Sequence, residues 1–158
     1  MAHDGQLMHL MGRKPMTAKL TEAGFWRKQA DSSQRREPRV LIRVYVGEGE
    51  IDSAIAFYEK LQGVQMDMHF DFPEHRLVLA AVGPFLILEG AEDSLRPFRS
   101  TVGTLLVDDI YPYHQRLLAA GAEIFFGPVE VPTGACFNAR LPDGTTIEYV
   151  HHRPREGE

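Results

Sequence analysis

Arg43 sits in the middle of an apolar run, Val40-Leu41-Ile42-Arg43-Val44-Tyr45-Val46, where a charge is costly to bury unless it is paired. A guanidinium held there does one of two jobs. It closes an internal ion pair, or it anchors an anionic or polar ligand. Nucleophilic chemistry has thinner support. Cys136 is the one cysteine, it lies in an apolar run, and no histidine at a recognisable spacing accompanies it. That setting describes inert packing. Gly-Xaa-Ser-Xaa-Gly elbows, P-loops and dinucleotide fingerprints do not occur. The histidines are scattered: His3 and His9 near the start, His69 and His75 near the second and third strands, His114 on a helix, His151 and His152 near the end. They read as solvated or tail side chains.

The elements that must position Arg43 follow from periodicity. Residues 40–46 are β-branched and apolar, as in a strand of a largely buried sheet. Gly47-Glu48-Gly49-Glu50 turns the chain, and Asp52 is placed to cap a helix through Ala54, Ile55, Phe57, Tyr58 and Leu61, which Gly63 ends. Three strands follow, over 65–70, 76–82 and 85–89. The pattern then restarts with a strand over 103–107, the turn Asp108-Asp109, and a helix over 112–120 closed by Gly121. Strands over 124–126, 135–140 and 145–150 complete it. Each half is β-α-β-β-β. Val46 matches Val107 and Gly83 matches Gly144, both 61 residues apart, which marks a duplicated unit and a pseudo-twofold domain.

The 158-residue chain suits one domain, and 44% hydrophobic with 25% charged residues is ordinary for a globular protein. No apolar run reaches the ~20 residues that span a bilayer. Residues 1–38 differ from the rest: an extension with a short helix over 20–30, Phe25 and Trp26 docking on the body, and a linker over 32–38. Either Met1 or Met16 serves as the start. The first 34 residues lack the apolar stretch of a secretory signal, and a lone cysteine permits no internal disulfide, so a cytoplasmic home is expected. Net charge is −5, with an excess of basic residues before Pro38 and of acidic ones after it. An acidic body repels phosphates, which argues against nucleic acid as a partner.

Residues 52–63, Asp-Ser-Ala-Ile-Ala-Phe-Tyr-Glu-Lys-Leu-Gln-Gly, resemble the first helix of the vicinal oxygen chelate superfamily, which includes glyoxalases, extradiol dioxygenases and bleomycin-resistance proteins. Pro142-Asp143-Gly144-Thr145-Thr146-Ile147-Glu148 is similar to the family's last hairpin, with Leu141 in place of its first Asp. Leu118-Ala119-Ala120-Gly121-Ala122 followed by Gly127-Pro128 fits as well. The resemblance covers roughly residues 39–151. It implies an α+β fold in which two βαβββ repeats, about 39–90 and 101–151 of a 39–154 domain, form a cup-shaped eight-stranded mixed sheet, and a homodimer.

The enzymes of the family hold a divalent metal through the first and fourth strands of each half. Carried over, those positions are Leu41, Ile87, Val102 and Glu148, and only Glu148 has a donor to give. The resemblance therefore implies no metal and no cofactor. It implies a binding protein of the bleomycin-resistance kind, sequestering or carrying a partly aromatic small molecule. Two alternatives stay open: a lyase, isomerase or dioxygenase with a non-standard site, and an interaction module whose cup is filled. If Leu41 faces the cup, Arg43 and Tyr45 do too, while Val40, Ile42, Val44 and Val46 pack on the helix. Glu148 becomes the partner of Arg43, whose charge opposes its use as a general base. Phe85, Ile87 and Glu89 are expected on one cup face, as are Val102, Thr104 and Leu106. The expected ligand-binding set is Arg43, Tyr45, Phe85, Thr104, Phe137 and Glu148, with Asn138 and Trp26 as possible additions.

Overall fold

The computed structural model describes residues 24–158. Met16, His3 and His9 lie outside them, as does the first part of the helix expected over 20–30. Its remainder is not helical: Phe25–Arg27 forms a short strand, β1. The first repeat supplies β2 (Arg39–Val46), helix α1 (Ile51–Gln62), β3 (Met68–Phe72), β4 (Leu77–Val82) and β5 (Phe85–Glu89). A short helix, α2 (Glu92–Leu95), and a 3-10 turn over Arg96–Phe98 follow, neither of which the sequence pattern suggests. The second repeat supplies β6 (Gly103–Val107), α3 (Ile110–Ala119), β7 (Glu123–Val131), β8 (Gly134–Arg140) and β9 (Thr146–His152).

The nine strands make one mixed sheet in the order β1-β3-β4-β5-β2-β6-β9-β8-β7, curled into a half-barrel. The ninth strand, β1, extends the edge beside β3. At the centre β2 runs antiparallel to β6, pairing Leu41 with Thr104 and Ile42 with Gly103. The second pair is itself one repeat apart, so the local twofold passes through it. Each central strand then runs parallel to the last strand of its own half, β2 to β5 and β6 to β9.

Helices α1 and α3 cover the outer face. Ile51, Ala54 and Ile55 pack there on Ala80, Val82 and Ile87. In the second half Ile110 packs with Val107, Ala135, Phe137 and Ala139. Helix α1 ends at Gly63 in a left-handed conformation (φ 65°), which glycine adopts without a Cβ clash. Its N-cap is Glu50, and Asp52 is the second residue of the first turn. The cap's work is done from the sheet: Ile51 N–H donates to Glu89 Oε2 at 2.8 Å.

The inner face is packed unequally. In the first half Leu41, Met68, Phe70, Leu77, Leu79, Ala81, Leu86, Leu88 and Leu95 form one buried cluster. In the second half the corresponding cluster is only Leu106, Cys136 and Val150. Alternation along β2 sends Leu41 and Tyr45 to this inner cluster and Val44 and Val46 to α1. Val40 and Ile42 do not reach the helix; both are exposed, because α1 and α3 leave the outer face uncovered near the twofold.

The stretch expected as a linker is anchored to the body at its first residue, Ser32, while the residues after it are mostly exposed. Ser32 is buried; its Oγ donates to Val107 O at 2.7 Å and accepts from His152 N–H at 2.9 Å. Arg27 is also buried, donating to Thr133 O, Arg153 O and Glu158. Ser32→Ala removes one partner from each of two buried backbone groups, so it is expected to cost about 1–2 kcal/mol. Urea unfolding checks this, and an unchanged midpoint would show that the segment is not docked.

Candidate functional site

The curl of the sheet brings the middle of β2, β6, β8 and β9 together at the floor of the cup. Arg43 Nη2 lies 3.3 Å from Glu148 Oε2. Arg43 Nε–H donates to Thr104 Oγ1 at 3.1 Å, and the Thr104 hydroxyl donates to Glu148 Oε1 at 3.2 Å. Only 2% of the Arg43 side chain is exposed, against 20% for Glu148. Arg43 Nη1 has no partner among the described residues. Burial, and then the Glu148 charge, push the Cys136 thiol well above the ordinary cysteine range. That thiol is no nucleophile at neutral pH.

Tyr45 is a strut. Its hydroxyl has one proton to give, to Phe98 O at 2.5 Å or Thr101 O at 2.9 Å, and so it pins the chain between α2 and β6.

Two of the expected ligand residues face the other way. Phe137 is fully buried on the outer side, stacked on Tyr149 and edge-on to His114 of α3. Phe85 packs its ring 4.5 Å from Tyr58 of α1. Ile87 and Glu89 belong to that outer side as well. For the β5 residues the cause is a shift of one residue. Arg43 pairs with Leu86, and its repeat mate Thr104 pairs with Glu148, so Leu86, not Ile87, corresponds to Glu148. A period-two strand turns every side chain over for a single-residue slip. Val102 lies just before β6 and is exposed, while its neighbour Thr101 is buried.

Beside the floor is a cavity of about 510 Å³. It is lined by the turn over Glu74–Arg76, by the α2 segment (Asp93, Ser94, Pro97, Phe98), and by Thr101, Phe125, Phe126 and Asn138. It opens where the second-half inner cluster is small. Asn138 stands opposite Glu148 across the β8–β9 pair and donates to Thr101 Oγ1 at a long 3.5 Å. His75 is wedged edge-on between Phe72 and Phe98. It is not a solvated histidine, and neither are His151 and His152, which are buried. Burial lowers the pKa of His151, whose Nδ1 accepts from Ile110 N–H at the start of α3.

None of the six residues expected to bind ligand lines the cavity. Arg43, Thr104 and Glu148 form its neighbouring floor. The lining residues carry no motif; Asn138, expected as an addition to the set, is among them, and the doublet Phe125-Phe126 in an edge strand was a further signal.

The chelating enzymes' metal does not fit these residues. Leu41 and Leu86 are buried hydrocarbon, Val102 is exposed, and Glu148 is engaged by a guanidinium that would repel a divalent ion. Among the described residues no group of three or more His, Cys, Asp or Glu is placed to hold one. Nor, among them, is any helix long and apolar enough to cross a membrane.

The curled sheet of paired βαβββ units, helices outside and cup within, has the vicinal oxygen chelate fold. A variant of methylmalonyl-CoA epimerase from Streptomyces coelicolor, solved with 2-nitronate-propionyl-CoA, superposes with a TM-score of 0.50 at 14% identity, covering 71% of this chain and 96% of that one. A hypothetical protein from Bacillus halodurans gives 0.52 at 16%, covering 75% and 96%. The chain belongs to the family of an uncharacterized protein from Methanosarcina mazei. With that protein it shares 38% identity and a TM-score of 0.68 over 75% of its own length and 94% of the other. No family model matches the sequence, and no curated protein does either.

Proposed function

We propose that the protein binds a small, partly aromatic molecule in this cavity, without a metal ion, and holds it rather than transforming it. The cavity itself carries the reading. Its 510 Å³ falls within the roughly 300–1,000 Å³ of small-molecule sites, which are mainly apolar with a few directed polar groups. Phe98, Phe125 and Phe126 supply ring faces and edges, and Thr101 and Asn138 supply the polar groups. Holding rather than transforming follows from the nearby reactive groups: the Cys136 thiol stays protonated and Glu148 is tied to Arg43 and Thr104. A lone buried cysteine suits a reducing cytoplasm.

A thermal-shift screen of planar aromatic compounds tests the reading. A ligand at a hundred times its Kd adds about 2.7 kcal/mol to stability, which raises the melting temperature by several degrees. Phe126→Ala, on an exposed edge strand, is expected to weaken binding about tenfold or more with little change in the unliganded melting temperature. The reading fails if no compound shifts the transition, or if a chelator abolishes every shift.

A further inference from the structure

The buried polar groups of the cavity are Ser94, Thr101 and Asn138, and Ser94 lacks the partner that burial demands. Ser94, 6% exposed, lines the cavity, and its Oγ makes no hydrogen bond among the described residues. Asn138, 7% exposed, lines the same cavity, and its amide makes a single long contact, 3.5 Å to Thr101 Oγ1. A buried hydroxyl left without a partner is an unusual cost in a folded protein. A bound molecule that supplies the partner removes it.

Of the titratable side chains in the lining, Glu74, Arg76 and Asp93 are on its exposed rim, with Asp93 already paired with Arg96, and His75 is half-buried between Phe72 and Phe98. The nearby buried cation, Arg43, is held by Glu148 and Thr104 and, although its Nη1 is unpartnered, is not part of the lining. An anionic head group pushed between Ser94 and Asn138 would lose its hydration and meet no buried counter-charge in the lining, Arg76 being on the exposed rim. A carboxamide answers a different ligand. Whichever way its amide is turned, Asn138 presents one donor and one acceptor side by side, the complement of a flat group that carries the same pair in a ring.

We infer that the ligand is a neutral planar heterocycle whose edge carries an adjacent donor and acceptor, as in a lactam. Asn138 reads that edge, Ser94 completes a further polar atom, and the phenylalanine rings pack against the heterocycle. This assignment rests on the cavity being the binding site.

The test is calorimetry with three bicyclic probes of matched size: 2-quinolinone, which has the lactam edge; quinoline, which has only an acceptor; and 2-naphthoate, which is anionic. The intact protein is expected to bind 2-quinolinone at least about tenfold more tightly than either of the others. Asn138→Leu should bring 2-quinolinone down to the affinity of quinoline, and Ser94→Ala should weaken it several-fold. Equal or tighter binding of 2-naphthoate or quinoline overturns the assignment, as does a lactam preference that survives Asn138→Leu. The ranking on the unaltered protein decides even if that variant does not fold. If other planar compounds bind while 2-quinolinone does not, the cavity reading stands and the edge assignment falls. If nothing binds, both fall.

Discussion

Glu148→Leu is expected to lower the free energy of unfolding by about 3–5 kcal/mol, the cost of leaving a buried charge without its partner. Arg43 has nowhere to go: its side chain is 2% exposed, and losing Glu148 leaves it with the Thr104 hydroxyl alone. The reverse change should be milder. In Arg43→Met the carboxylate that remains is one-fifth exposed and can be hydrated from the cup, so a loss of about 1–3 kcal/mol is expected. The double variant Arg43→Met/Glu148→Leu removes both charges from the floor. It should be more stable than Glu148→Leu alone, because hydrocarbon of similar volume replaces a buried pair at little net cost. Urea unfolding of the three variants measures the cycle. A loss under about 1 kcal/mol for Glu148→Leu, or a double variant no better than that single one, would show that the pair does not hold the floor together.

Acid should destabilise the protein well above the pH at which carboxylates titrate, and His152 is expected to be the largest cause. Burial, reinforced by Arg27, Arg39 and His151, pushes its pKa down to about 3, with only Glu158 acting the other way. An unfolded histidine titrates near 6.5. Between those values the unfolded chain binds a proton that the folded chain refuses. Stability is therefore fully present above pH 6.5 and lost as pH falls, by about 1.4 kcal/mol per unit for one proton. From pH 6.5 to 4.5 that amounts to roughly 2–3 kcal/mol. Carboxylates with lowered pKa values, Glu158 and Asp143 among them, add their own loss only further down. His69 and His151 are lowered by burial too, so the diagnostic is a difference. His152→Gln should flatten the pH 6.5–4.5 slope relative to the unaltered protein. Parallel slopes would mean that His152 is protonated in the fold.

The repeat, its strand-helix-strand order and the fold class could be read from the chain because they depend on local signals. Alternation in residues 40–46, glycine after each helix and the turn over 142–144 act within a few residues of themselves. Arg43 was visible for the same reason, as a charge breaking an apolar run, and its two possible partners, carboxylate or ligand, were both legible. The extension was harder. Phe25–Arg27 is too short to show a period, and its strand exists only because β3 offers an open edge.

What the sequence by itself determined is which elements form and which residue needs a partner: hydrogen bonding, turn chemistry and side-chain alternation are properties of neighbouring residues. Only the tertiary structure decided which faces meet. The first-half fourth strand stands one residue out of step with the 61-residue repeat, and one residue in a strand reverses inside and outside, so Phe85 and Ile87 went to the helix and Leu86 to the cup. The cavity is likewise a product of the curl. It joins a turn before β4, the α2 segment and the strands β7 and β8, distant in sequence; His75 and Asn138 could be singled out one at a time, but no local signal brings them together, and the leucines that fill the first half have no counterpart in the second.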